Sequence, residues 1–231
     1  MKDWESLPAY MKNDKVLPYY DLLKKKGVTL LWKRAFDVAV GVAVAAVLIP
    51  VIAVLCVMVK ADSKGPAFFL QKRVTQYGRE FHIIKIRTMV QNAGKLGTEV
   101  TSKNDARVTK IGKKLRKYRL DELPQIFNII KGDMTFVGTR PETPKYVARY
   151  TDEMLATLLL RAGLTSPASI QFKDEEEMMS GVQDTDKVYV EKVLPLKMEM
   201  NLKYLQEFSL KNDMKVLLGT VKAVGGGDEE T

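Results

Sequence analysis

The hydrophobic pattern is dominated by one run. From Val38 to Val59 there are 22 positions without a charge. Coiled as a helix, the run is about 33 Å long, enough to cross a hydrocarbon core of roughly 30 Å. A buried core helix of this length ordinarily carries a polar stripe, and this run has none. A signal peptide fits poorly, because a charged and aromatic stretch precedes the run and it exceeds an h-region in length. Two features favour entry and return over a span. Pro50 lies mid-run, where it removes a backbone hydrogen bond and clashes with the preceding turn. Both flanks are basic, Lys33 and Arg34 before and Lys60 and Lys64 after, so the positive-inside rule assigns no orientation. Residues 33–60 are therefore expected to form a re-entrant membrane helix kinked at Pro50.

Elsewhere the pattern is that of a soluble domain over 61–224. Ala67–Val74 and Arg79–Met89, rich in Phe, Ile and Val and separated by Tyr77-Gly78, read as a β-hairpin. Gln91–Asp105 is polar and contains two glycines, as a loop does. Lys110–Arg119 reads as a basic helix. Asp121–Lys131 reads as a second, with Pro124 in its first turn and Gly132 ending it. Glu142–Arg161 has helical period, with Leu155, Leu158 and Leu159 as core. Gly163–Ser169 reads as a loop, Asp174–Glu177 as a solvated acidic run, and Pro195–Val224 as one long or two shorter helices. Residues 225–231 read as a flexible acidic tail. Residues 1–32 mix Trp4, Tyr10, Tyr19, Tyr20 and Trp32 with lysines. That composition suits a headgroup-level interfacial arm or a solvated one. The expected class is α+β: a mainly helical monotopic membrane protein with a small hairpin.

Composition narrows the chemistry. The 231 residues carry 37 Lys and Arg against 28 Asp and Glu, a formal charge of +9. The partner is expected to be polyanionic: nucleic acid, anionic lipid or a phosphorylated small molecule. One Cys and one His exclude an internal disulfide and a Cys-based zinc site, and they leave the chemistry to carboxylates, Lys and Arg.

Lys103–Arg119 holds eight basic residues and one acid, and the carboxylate pair Asp121-Glu122 follows directly. Adjacent cations are expected to keep such a pair ionised and to lower its pKa values. They also form a cradle for phosphate oxygens, helped by the N-terminus of the next helix. Two carboxylates and a diphosphate can share Mg²⁺, which prefers oxygen ligands, and an ionised Asp can attack phosphorus. The bland reading is an N-capping Asp with a favourable first-turn Glu.

The surroundings weaken the bland reading. Lys33–Asp37 reads KRAFD, Gly65–Arg73 reads GPAFFLQKR, His82–Met89 reads HIIKIRTM, and Arg119–Glu142 reads RLDELPQIFNIIKGDMTFVGTRPE. In this order and spacing, from about Lys33 to Lys222, the chain resembles the bacterial sugar transferase family, the monotopic phosphoglycosyl transferases that start glycan assembly on a polyprenyl-phosphate carrier. The resemblance implies a re-entrant helix broken at Pro50 in the cytoplasmic leaflet of the bacterial inner membrane. It also implies a Mg²⁺-dependent dyad, Asp121 and Glu122, serving both catalysis and metal binding. Asp121 would attack the sugar-bearing phosphorus of a UDP-sugar and release UMP. Undecaprenyl phosphate would then take the phosphosugar from Asp121. Lys85 and Arg116 match positions that steady phosphate charge, and Arg140-Pro141 matches a turn linked to nucleotide-diphosphate recognition. Arg87, Glu142 and Arg161 complete the candidate substrate-binding set. The expected partners are the UDP-sugar, the lipid phosphate and membrane lipid, not nucleic acid, with a homodimer as a candidate assembly. The chain departs from the family pattern at Ile49, where the family often has Ser, so that the kink rests more on Pro50 itself. It also departs at Thr75, Thr139 and Ala162 and across Leu164–Ser169, which bears on the nucleotide pocket and sugar preference, not on the dyad.

Two other readings stand beside this one. A membrane-anchored nucleic-acid binder would explain the basic stretch but not the carboxylates, and aromatics for base stacking are sparse there. An inactive scaffold would keep the fold and lack turnover.

Overall fold

The computed structural model describes residues 1–93, 105–173 and 184–225. The acidic run 174–177, residues 226–231 of the expected tail and residues 94–104 of the expected 91–105 loop lie outside these residues.

The N-terminal residues do not form a detached arm. After two short 3₁₀ turns, helix α1 (Leu17–Lys24) places Tyr19, Tyr20 and Leu23 in the interior. They join Leu7, Met11 and Val16 against Leu155–Leu160, Tyr204, Leu205 and Phe208 in the largest apolar core. Tyr19 Oη donates to Glu153 at 2.7 Å, and Trp4 meets Tyr20 edge-on at 5.0 Å. Burial of these rings, not their aromatic-basic composition, decides where they sit. Tyr10 and Trp32 remain exposed.

Helix α2 (Gly27–Asp62) is a single helix of 36 residues with Pro50 inside it, so the apolar run is its middle and not its whole. Its buried positions, Lys33, Asp37, Gly41, Ala45, Ile52, Leu55 and Val59, form one stripe at helical spacing. The rest of the run is apolar and exposed, from Val42 and Val47 through Ile49, Val51 and Val54 to Val57. Both ends of α2 rest on the same body. At the start, Lys33 Nζ pairs with Asp213 Oδ2 at 2.5 Å. Arg34 donates to the carbonyls of Ile129 and Ile130 at 2.7 and 2.8 Å. Asp37 accepts from Thr135 Oγ1 at 2.6 Å and from Phe136 N at 3.3 Å. At the end, Leu55 and Val59 pack on Ile86 and Leu115, and Asp62 Oδ2 accepts from Ile111 N at 3.1 Å.

The Lys33–Asp213 pair is buried on both sides, and Tyr204 Oη also donates to Asp213 at 2.6 Å. Removing one partner of a buried pair leaves a charge without compensation, at a cost of about 3–5 kcal/mol. Lys33→Met is therefore expected to lower the unfolding temperature of the detergent-solubilised protein by several degrees. An unchanged midpoint would show that the pair contributes nothing.

The hairpin forms as expected, with β1 (Phe68–Val74) antiparallel to β2 (Glu80–Ile86) and Leu70 opposite Ile84. Helix α3 (Lys110–Lys117) is N-capped by Thr109, whose hydroxyl accepts from Gly112 N at 3.0 Å. The reading of one helix over 121–131 is modified. A 3₁₀ turn, Leu120–Glu122, carries the dyad, and helix α4 (Gln125–Lys131) follows it. Gly132 ends α4 at φ 96°, a left-handed conformation that suits glycine.

The largest departure lies over 134–171. Strand β3 (Met134–Val137) pairs in parallel with β4 (Ala162–Thr165), where the sequence predicts a loop from Gly163 onward. The expected helix over 142–161 is only α5 (Pro144–Val147) and a 3₁₀ turn, Met154–Leu159. Its leucines are buried nonetheless. Helix α6 (Pro167–Gln171) starts at Ser166, whose Oγ accepts from Ser169 N. The C-terminal region contains α7 (Thr185–Val188), a π-helical turn at Tyr189–Val193, α8 (Leu194–Gln206) and α9 (Leu210–Gly225).

Candidate active site

The dyad sits where three elements converge: the turn after α3, strand β2 and the loop after β3. Arg119 adopts φ 52°. This left-handed residue turns the chain from α3 into the 3₁₀ turn and puts Asp121 and Glu122 on the side of β2. One turn further along α4, Asn128 fixes the spacing. Its Oδ1 accepts from Ile84 N at 3.0 Å and its Nδ2 donates to the His82 carbonyl at 2.9 Å. His82 takes part through its backbone carbonyl.

The two carboxylates differ in state. Glu122 is clamped. Its Oε1 accepts from Arg140 and lies 3.4 Å from Lys85 Nζ. Burial works against its charge, but Arg140, Lys85 and Arg119 outweigh it and hold its carboxyl well below the usual range. Asp121 is buried and accepts no hydrogen bond from the described residues. Burial pushes its carboxyl above the usual range. Glu122 adds to the rise, and Lys85, Arg116 and Arg140 oppose it. The expectation that surrounding cations lower both pKa values is thus corrected for Asp121, where loss of water is the larger effect. Burial likewise pushes the Lys85 ammonium down, against the pull of Glu122.

Arg116 is oriented by Thr88, whose Oγ1 accepts from its Nε at 2.9 Å. Arg140 is oriented from behind by the Leu164 carbonyl at 3.1 Å. Lys85, Arg116 and Arg140 are thereby brought together around Asp121. The remaining candidates are placed elsewhere. Arg87 donates to the Ser63 and Lys64 carbonyls at 2.7 and 2.8 Å, closing the C-terminal end of α2. Arg161 Nε donates to the Gly132 carbonyl at 3.1 Å, and its charged neighbours are Arg34, Asp37 and Arg79. The Pro141 carbonyl accepts from Arg73. Glu142 is buried, with its carboxylate on Tyr189, Lys197 and Arg73. Tyr189 and Lys197 carry no signal in the sequence, because an aromatic or basic residue so far along the chain from any motif looks like core or surface until the chain folds. Arg73 ends the GPAFFLQKR motif, but nothing there marks it as a partner of Glu142.

The positions that depart from the family pattern have structural roles beside the site. Thr75 Oγ1 donates to the Asp133 carbonyl at 2.6 Å and accepts from Ala162 N at 3.1 Å, tying β1 to β4. The Thr139 carbonyl accepts from Gly163 N at 2.8 Å.

Can the site hold a divalent cation? Among the described residues no cluster of three or more acidic, His or Cys side chains is present. The donors are the two carboxylates, of which Asp121 is the one that accepts no hydrogen bond from the described residues. These hard oxygens suit Mg²⁺, with water and substrate oxygens completing the shell. Lys85, Arg116 and Arg140 outnumber the two carboxylates, so the formal charge repels a bare dication and attracts one already neutralised by a diphosphate. The residues therefore fit a metal that arrives with an anionic substrate.

Residues 28–227 match the bacterial sugar transferase family. The chain is similar to a UDP-N-acetylgalactosamine-undecaprenyl-phosphate N-acetylgalactosaminephosphotransferase of Aeromonas hydrophila, at 32% identity over 83% of this chain and 43% of the relative. It is similar to a UDP-glucose:undecaprenyl-phosphate glucose-1-phosphate transferase of Escherichia coli strain K12, at 34% identity over 89% of this chain and 42% of the relative. A putative undecaprenyl-phosphate N-acetylgalactosaminyl 1-phosphate transferase of Bacillus subtilis strain 168 is 38% identical over 58% of this chain and 75% of its own length. The chain spans less than half the length of the Aeromonas and Escherichia relatives. With the family match covering most of the chain and the dyad, the three cations and the apolar helix in place, this protein belongs to the bacterial sugar transferase family.

Proposed function

We propose that this protein transfers a sugar-1-phosphate from a UDP-sugar to undecaprenyl phosphate at the cytoplasmic face of the bacterial inner membrane. The observation that carries the reading is a buried aspartate that accepts no hydrogen bond from any described residue and feels the charges of Lys85, Arg116 and Arg140. A carboxylate poor in water and hydrogen bonds is more nucleophilic than a solvated one. Three cations beside it suit a substrate with two negative phosphates.

In the first step an Asp121 carboxylate oxygen attacks the sugar-bearing phosphorus. The bond from that phosphorus to the bridging oxygen breaks, and UMP leaves with the electron pair. In the second step a phosphate oxygen of the lipid attacks the same phosphorus, and the bond to Asp121 breaks. No net proton is required in either step, which suits a site without histidine. Arg116 and Arg140 neutralise the equatorial oxygens, and Lys85 holds Glu122 in place. Asp121 and Glu122 would hold Mg²⁺, which when bound withdraws charge from the diphosphate. Phosphoryl transfer of this kind depends on charge neutralisation and in-line positioning. UMP release from a panel of UDP-sugars, with and without undecaprenyl phosphate and Mg²⁺, tests the reading. Mg²⁺-dependent release is expected from one or a few of them, and no release from any would refute it.

The membrane placement rests on α2. Its two ends hold the same body through Lys33, Arg34 and Asp37 on one side and Val59 and Asp62 on the other. The exposed apolar surface lies between them, around Pro50. A helix arranged this way enters and leaves one leaflet, because a span would carry one anchored end to the far side. Single cysteines at Lys26 and Ser63, in a Cys56→Ala background, are expected to react with an impermeant maleimide from the same side of sealed vesicles. Labelling from opposite sides would refute re-entry.

A further inference from the structure

We propose that Tyr189 and Lys197 are positioning residues for Arg140, acting through the buried carboxylate of Glu142; this rests on the function proposed above. Arg140 and Glu142 share the short loop between β3 and α5. At one end of that loop the Arg140 guanidinium grips Glu122. At the other, Glu142 is only 6% exposed. Its Oε1 accepts from Tyr189 Oη at 2.5 Å and lies 3.4 Å from Lys197 Nζ. Lys197 in turn donates to Tyr189 Oη at 3.0 Å. Arg73 lies 3.8 Å from Oε2 and donates to the Pro141 carbonyl at 3.1 Å. The Glu142 carbonyl takes the last amide of β1, Val74 N, at 2.9 Å.

With its carboxylate occupied on these sides, Glu142 has little left to offer a substrate, and its placement in the substrate-binding set is better explained as an internal anchor. The anchor is costly. Glu142 and Lys197 bring two charges inside, with Arg73 half-buried beside them, and an apolar cluster of the same volume is often as stable or more so. What an apolar cluster would not supply is direction. Tyr189 sits in the π-helical turn and packs on Tyr146 at 4.7 Å between ring centroids, so its hydroxyl has a fixed origin. Lys197 comes from α8. Together they pin the loop two residues from Arg140, while Leu164 and the Gly138 and Thr139 backbone hold its other side through β4. An arginine has four side-chain torsions, so the Arg140–Glu122 contact depends on both sides of the loop staying put. A misplacement of about 1 Å costs roughly a hundredfold in rate.

The test uses Tyr189→Phe, which keeps the ring and removes only the hydroxyl, together with Lys197→Met and Lys197→Arg in the full chain. Two measurements are made on each: UMP release against donor concentration, and hydrogen exchange of the 138–143 backbone amides. Tyr189→Phe and Lys197→Met are expected to lower kcat/KM about tenfold and to raise exchange at 138–143 by a similar factor, with Lys197→Arg recovering most of both. In an Arg140→Ala background, Lys197→Met is expected to cause no further loss of turnover. Parental turnover and exchange in folded Tyr189→Phe and Lys197→Met, or a full additional loss in the Arg140→Ala background, would overturn the proposal. If the parent releases no UMP from any donor, the function proposed above has failed, and exchange at 138–143 alone then judges the positioning role.

Discussion

Asp121→Asn is expected to abolish UMP release while the protein stays folded and membrane-bound. Removing a catalytic nucleophile typically costs on the order of 10⁴-fold or more in turnover, and the amide is nearly isosteric with the carboxylate it replaces. The expectation for stability has a definite sign. Burial raises the Asp121 pKa. A carboxyl raised in the folded state stabilises the fold only while protonated, and that contribution is lost as pH rises through the ordinary Asp range to the folded value. At neutral pH the ionised group therefore weighs against folding, and Asn removes that burden. The variant should unfold at the parental temperature or above it, so that lost turnover cannot be assigned to unfolding. Undiminished UMP release would remove Asp121 from the nucleophile role. Parental turnover is expected to leave sugar phosphate attached to the Asp121 peptide in a mass spectrum, and the variant to leave none.

The second large effect is expected at Gly163. A Cβ placed there would lie 2.1 Å from the Gly138 carbonyl oxygen and 2.3 Å from its nitrogen. These are backbone atoms of the chain leaving β3, so no side chain can swing aside. Gly163→Ala must part β3 from β4 or push the Gly138–Arg140 loop away. The strain is worth about 3 kcal/mol, which for a domain of this size lowers the midpoint of unfolding by roughly 6–12 °C. Turnover should fall as well, because Arg140 lies two residues from the displaced glycine. Gly219→Ala is the control. Its Cβ would meet only the tip of Ile170 at 3.2 Å, and a small effect is expected. A Gly163→Ala protein with parental midpoint and turnover would show that the β3–β4 approach is not tight.

Much of this architecture was legible from local pattern. The hairpin over 68–86, the basic helix over 110–117 and the stop at Gly132 each depend on neighbours within a few positions. The dyad was legible because two carboxylates behind a dense cationic stretch are chemically unusual. The resemblance then brought Lys85, Arg116 and Arg140 to the same site. The parallel pair was not legible. Ala162–Thr165 is four residues long, half of it Ala and Gly, and its partner lies 28 positions away. The 142–161 region keeps helical leucine spacing, but those leucines serve a 3₁₀ turn under α8 and the N-terminal segment. Arg87 and Arg161, which cap carbonyls, could not be separated by type from Arg116 and Arg140, which lie beside Asp121, since the guanidinium is the same and only the fold decides what it meets.

Read from the residues alone, the protein is a class of parts: an apolar helix with a proline inside it, a cationic stretch, an adjacent acid pair and a set of family motifs. These follow from composition and short-range spacing, which act within one turn or one strand. The tertiary structure decided which part does what. It buried Tyr19 and Tyr20 instead of offering them to lipid, sent Arg87 to a helix end, and locked Glu142 behind the site. It also gave Asp121 a raised pKa and Glu122 a lowered one from adjacent positions. The physical reason is that desolvation and charge pairing depend on distances between residues far apart in the chain, and those distances exist only once the body has closed.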